Sequence, residues 1–179
     1  MNRGWFAAVA VALAMLPGCK KDTPAPGPRA EVAGIQWTVP ARWISKGERP
    51  FRAATYTVPA VQGDPEAADC GVSYFGADQG GAVDMNIERW VSQFEASGPP
   101  ARSGREVSGM KVSLVQIAGA YLAPAGPMMA PTGKKENFRL LGAIVEGPQG
   151  SVFFKLTGPA ATVASAEEEF DQMIGSLAK

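Results

Sequence analysis

The chain has 179 residues, 17 basic and 17 acidic, with no histidine and two cysteines. A balanced charge excludes the strongly basic face that non-specific nucleic-acid binding needs. The missing histidine removes the commonest general base, the commonest metal ligand and every Ser–His or Cys–His nucleophile pair, which argues against ordinary hydrolase chemistry.

The first element in the chain is an address. Met1-Asn2-Arg3 is positively charged, and Trp5 to Leu16 is apolar. About a dozen residues fall short of the roughly 20 a spanning helix needs and suit a signal-peptide core, so residues 1–18 read as a signal peptide. Leu16-Pro17-Gly18-Cys19 resembles the bacterial lipobox, with Pro17 standing where Ala or Ser is usual. That resemblance implies cleavage before Cys19, diacylglycerol on its thiol and a further acyl chain, such as palmitate, on its new amino group. One acyl chain binds only marginally, at about 0.8 kcal/mol per buried methylene, whereas two or three hold a protein to the membrane. Lys20 occupies the place where an aspartate, in the enterobacterial pattern, favours the inner membrane. The expected location is therefore the periplasmic face of the outer membrane.

Residues 19–34 read as the lipidated cysteine and a proline-rich tether. Pro24, Pro26 and Pro28 alternate; an extended polyproline segment gains about 3.1 Å per residue, so some 14 residues lift a domain roughly 40 Å from the bilayer. Residues 35–179 then read as a single domain, with length enough for its own core. If Cys19 is acylated, Cys70 is the only thiol left and no intrachain disulfide can form.

Within the domain, Ile35, Trp37 and Val39 alternate with polar residues, a half-buried strand ended by Pro40. Phe51 to Val58 and Cys70 to Phe75 predict two more strands, separated by a loop with Gly63, Asp64 and Pro65. Val83, Ile87, Trp90, Val91 and Phe94 form one stripe on a 3.6-residue period, a helix stopped by Gly98-Pro99-Pro100. A strand from about Arg105 to Ala118 follows, and Ala123 to Lys135 reads as a Pro/Gly-rich loop carrying Met128 and Met129. Phe138 to Val145 and Val152 to Leu156 are apolar on both faces, the central hairpin of a covered sheet. Val163, Ala166, Phe170, Ile174 and Leu177 give a second helix, beginning either at a Ser165–Glu168 capping box or nearer Pro159. The expected fold class is α+β: an antiparallel sheet of about six strands with two amphipathic helices packed on it.

Trp37-Thr38-Val39-Pro40 with Trp43, Tyr74-Phe75-Gly76, Arg89-Trp90, Leu140 to Glu146 and Phe153 to Pro159 together resemble a group of bacterial exported lipoproteins without an assigned role. The early strand-Pro-x-x-Trp and the late strand-Gly-helix also resemble the PsbP-like α/β/α sandwich. Both resemblances imply a fold more than a function, and PsbP-like proteins include non-enzymatic extrinsic subunits and small lipoproteins.

Candidate sites are few. The Gly76–Gly81 turn lacks the Lys-Ser/Thr ending of a phosphate loop and reads as structural. Cys70 beside Asp69 reads as a buried, inert thiol. The acidic run Glu167-Glu168-Glu169 with Asp171 reads as the wet face of the last helix. Met128 and Met129 are too few soft ligands for a metal and read instead as a hydrophobic contact with the domain or with a partner. Tyr74, Asn86 and Arg89 are the candidate polar contacts of a small-ligand pocket between the sheet and residues 123–135. The expected function is a non-catalytic binding or assembly module with an envelope protein as partner, no nucleic acid, no metal and no cofactor. Small-ligand binding is the alternative, and an enzyme using carboxylates or Cys70 comes last.

Overall fold

The computed structural model describes residues 27–124 and 131–179; the segment expected to be a signal peptide, Cys19, Met128 and Met129 lie outside that range. Chain order gives strands β1 (Arg29–Val32), β2 (Ile35–Thr38), β3 (Ile44–Ser45), β4 (Ala54–Val58) and β5 (Ala68–Tyr74), then helix α1 (Val83–Val91). There follow β6 (Phe94–Ala96), β7 (Ala101–Val107), β8 (Met110–Pro124), β9 (Pro131–Gly147), β10 (Gly150–Pro159), α2 (Ala160–Ser165) and α3 (Glu167–Gly175).

Eight strands form one antiparallel sheet in the order β3-β4-β5-β10-β9-β8-β6, with β7 also on the outer side of β8. The β9–β10 hairpin is central, as its two-sided apolarity requires. Alternation along β10 assigns the faces: Val152, Phe154 and Leu156 belong to one core cluster and Phe153 to the other. On the first face lie α2, α3 and the β1–β2 hairpin, which seal Val72, Val145 and Phe154 under Trp37, Phe170 and Ile174. The Trp37 and Phe154 rings meet edge-on at 5.3 Å, and the indole N–H of Trp37 donates to the Tyr56 hydroxyl at 3.2 Å. On the second face α1 lays Ile87 and Trp90 over Val115, Leu140, Ile144 and Phe153. The architecture is an α/β/α sandwich, with a sheet larger than the six strands expected.

Five expectations need correction. Arg29–Val32, expected within the tether, is a strand paired with Ile35–Thr38; Ala33 and Gly34 both have positive φ, as the tight turn of a twisted hairpin demands. The single strand expected over 105–118 is two, folded back at Ser108-Gly109, which also both have positive φ. Phe94 is not helical: α1 ends at Val91, and Phe94 pairs with Tyr121 in β6. Residues 123–124 and 131–135 of the expected loop are strand, continuing β8 and β9. The last helix starts at Ala160 after Pro159 and breaks at Ala166 into two, with no side-chain cap from Ser165. Asp64 supplies that end instead, accepting from the Thr162 N–H at 2.7 Å and the Thr162 hydroxyl at 2.6 Å.

Candidate functional site

α1 is only nine residues long, so it roofs only part of the second face. Cross-strand pairing sets Thr55, Gly71, Lys155, Gly142 and Val115 in one row from β4 to β8 on this side. The two glycines receive what stands over the sheet. A Cβ on Gly142 would sit 2.6 Å from the Trp90 ring, and one on Gly71 would sit 2.9 Å from Nε of Arg52. The apolar half of the row is thus covered by a tryptophan and the polar half by a guanidinium. The next row carries Thr57, Asp69, Thr157, Leu140 and Ile117.

The polar half gathers charged side chains. Arg52 Nη1 donates to Asp69 Oδ2 at 2.5 Å. Lys155, half-buried in the middle of a central strand, donates from Nζ to Gln93 Oε1 at 2.5 Å and lies 5.6 Å over the centre of the Tyr121 ring. Burial, with the Arg52 and Arg89 charges adding to it and Asp69 opposing, brings the Lys155 ammonium down to about 7. Burial likewise pushes the Tyr121 phenol up. Thr55 is wholly buried, and the hydroxyl oxygens of Thr55 and Thr157 are buried with no hydrogen-bond partner among the described residues.

Of the residues singled out in the sequence, Asn86 and Arg89 are together: Arg89 Nη2 donates to Asn86 Oδ1 at 2.7 Å. Asn86 Nδ2 in turn donates to the Gly80 and Ala82 carbonyls at 2.7 and 2.9 Å, fixing the glycine turn to the helix start. Tyr74 is not with them. It packs against the opposite core, and its hydroxyl donates to the Gln149 carbonyl at 2.6 Å. Cys70 is wholly buried, and that burial, helped by Asp69, pushes its thiol far up. The acidic run is less wet than its pattern suggests. Glu169 accepts from Arg42 Nε at 2.6 Å and from the Trp43 indole at 2.9 Å, Glu167 pairs with Arg139 at 2.8 Å, and Asp171 pairs with Arg105 at 2.8 Å.

Arg52, Asp69, Gln93, Tyr121 and Lys155 were not visible as a site in the sequence. The one available signal was Lys155 itself, a lone charge inside the apolar run Val152–Leu156.

A second concavity, of about 420 Å³, lies on the other face beside β7. Leu114, Leu141 and Phe170 line its floor, and Ser103, Glu167 and Glu168 stand at its edge. β7 pairs with β8 alone, so its outer edge is unpaired among the described residues.

No protein-family model matches the chain, and no curated protein does. Among solved structures, the sandwich is similar to the solution structure of cyanobacterial PsbP (CyanoP) from Synechocystis sp. PCC 6803, with a TM-score of 0.50 at 16% identity, over 91% of this chain and 98% of that one. It is also similar to a Pseudomonas aeruginosa protein of unknown function, with a TM-score of 0.48 at 12% identity, over 85% and 96% of the two chains. The fold is therefore of the α+β class and resembles that of PsbP. At such identity the likeness extends to the fold alone.

Proposed function

We propose that this protein is a non-catalytic module of the cell envelope, held by lipid on Cys19 at the periplasmic face of the outer membrane, that binds an extended segment of another envelope protein. The groove of about 420 Å³ beside β7 carries this reading. An unpaired strand edge next to an apolar groove suits an added strand: main-chain hydrogen bonds supply affinity, and a pocket for alternate side chains supplies selectivity. Glu168 at the edge is exposed and its only side-chain partner among the described residues is Gln172, at 3.2 Å, so a segment with a basic residue fits best. The neighbouring carboxylates are already answered by Arg139 and Arg105.

Two measurements test it. Mass spectrometry of the protein from its native membrane should find a chain beginning at an acylated Cys19; an intact Met1 or an unmodified sulfur contradicts the anchor. A photoreactive residue at Ser103 should give one discrete adduct in the intact envelope, and Glu168→Arg should abolish it. An adduct pattern indifferent to Glu168→Arg contradicts the groove as the contact surface.

A further inference from the structure

We infer that the β3–β4 hairpin is a membrane-docking edge: residues 46–51 rest on a bilayer carrying anionic phospholipid, with the Phe51 ring among the lipid and Lys46 and Arg49 at the headgroups. The orientation rests on the lipid at Cys19 proposed above; the character of the surface does not.

Chain geometry comes first. The described chain begins at Gly27, and its first residues are bound to the connection that leads into β3. The Val39 N–H donates to the Pro28 carbonyl at 2.8 Å, Gly27 lies against Val39 and Ala41, and β3 starts soon after, at Ile44. Residues 19 and 27 are eight steps apart, at most roughly 28 Å even when fully extended. A domain of about 150 residues is roughly 40 Å across. So short a leash, fixed in a bilayer, keeps the β3 edge near the lipid and cannot bring the opposite edge round to it.

What stands on that edge suits a membrane surface. Every residue from Ile44 to Phe51 is exposed. Ile44 and Phe51, at 49% and 65%, are two of the four large apolar side chains exposed among the described residues. Lys46 and Arg49 lie between them. Arg42 and Arg52 on either side are paired with Glu169 and Asp69, whereas Lys46 and Arg49 have no ion pair among the described residues. Glu48 is the one acid from Ile44 to Phe51, so the run is net positive. Apolar area flanked by cations is the combination that binds an anionic lipid interface.

The tip is held in place without being buried. Arg49 and Arg52 close it, each backbone N–H donating to the other's carbonyl at 3.0 and 2.9 Å. Phe51 within that turn has a φ of +65°. A bulky residue in the left-handed region is strained, and in the free protein no burial of the ring offsets that cost. Lipid supplies the burial. A protein strand added to this edge fits less well, because β3 is only two residues long and offers little ladder to extend. Docking by β3 also leaves the groove open to a partner. β3 and β7 stand six strand steps apart, roughly 29 Å at about 4.8 Å per step, so the groove beside β7 is held away from the lipid.

The test places a reporter on the tip. Phe51→Trp and, separately, Met85→Trp are made in the full chain, purified from its own membrane and reconstituted in vesicles of phosphatidylethanolamine and phosphatidylglycerol with acyl-chain-brominated lipid. Met85 is more exposed still, at 71%, but belongs to α1, on the half of the sheet away from β3. Emission added by Phe51→Trp should be quenched by about half or more, as for a ring about 5–10 Å into the interface, and that added by Met85→Trp should not. Lys46→Gln with Arg49→Gln should lower the docked-to-free ratio roughly twenty-five-fold, at about fivefold for each cation near an anionic surface. The docking is overturned if Phe51→Trp is unquenched in protein that floats with the vesicles, if both positions are quenched equally, or if the double substitution changes nothing. It is also overturned if a photoreactive residue at position 51 labels a discrete protein in the intact envelope in place of lipid. Anchor and docking fail separately. An unmodified Cys19 contradicts the anchor alone, and the same chain coupled through its Cys19 thiol to a maleimide-bearing lipid still reads the docking, since Cys70 is wholly buried.

Discussion

The two faces of one sheet have opposite fates. On the α2–α3 side, nearly every inward residue of β4, β5, β10 and β9 is sealed: Val58, Val72, Phe154, Leu156 and Val145 have no exposed surface. On the α1 side, a helix of nine residues covers Phe153 and Ile144 and then stops, and the rest of that face carries Arg52, Asp69, Lys155 and two hydroxyls that lack partners among the described residues. A strand alternates strictly, so each strand serves both faces at once; burial decides one set of residues and leaves the other set open to a different purpose. The lesson is that one side of this sheet is stability, and the other is stability for half its width and chemistry for the remainder.

The largest effects should separate the two cores. Phe154→Ala opens a cavity beneath Trp37 in the sealed core and should cost about 3–5 kcal/mol, the range for deleting a buried phenyl ring. Phe153→Ala, whose ring meets Trp90 and the 40%-exposed Phe75, should fall at or below about 3 kcal/mol, because the thinner side can collapse. Equal losses in urea denaturation would break the comparison.

Next in size, Gly142→Ala should cost about 1–3 kcal/mol, since the new methyl meets the Trp90 ring at 2.6 Å. Hydrogen exchange should show the loss concentrated in α1, with α3 protected as before.

A smaller effect is diagnostic in its sign. Lys155 titrates near 7 in the folded protein against 10.5 for the free group, so between those values the unfolded chain binds a proton that the native one does not. Stability should therefore rise as pH goes from about 7 to about 10, and show no further loss from this group below 7. Lys155→Met should remove that slope and stabilise the protein at neutral pH by an amount of order 1 kcal/mol, after allowance for the partial exposure of the group. A slope unchanged in the variant would show that Lys155 is ionised in the fold. Smallest of all, Phe51→Gly should raise stability by about 0.5 kcal/mol, the relief of the left-handed φ being partly offset by glycine's greater freedom when unfolded.

Where sequence patterns were strong, they led to the right place. The two-sided apolarity of 138–145 and 152–156 located the central hairpin, and the stripe Val83-Ile87-Trp90 located α1. What escaped were turns built from Ala33-Gly34 and Ser108-Gly109, where two residues reverse the chain inside an otherwise continuous β pattern. The polar cluster escaped for a different reason. Arg52 and Lys155 are 103 residues apart and meet only because β5 and β10 pair in one particular register, which no local periodicity encodes. Asn86 and Arg89, three apart on one helix, were legible as neighbours; Tyr74 is not one of them, because alternation along β5 sends it to the other face.

The division of labour between the faces is tested most directly by following the lysine side chains by NMR from pH 5 to 11 in the protein without added anions. One lysine, missing from the Lys155→Met spectrum, should titrate near 7, because burial in a central strand, with the Arg52 charge adding to it, disfavours its proton. If every lysine instead titrates together in the ordinary range, Lys155 lies on an ordinary wet surface and the contrast between the two faces is wrong.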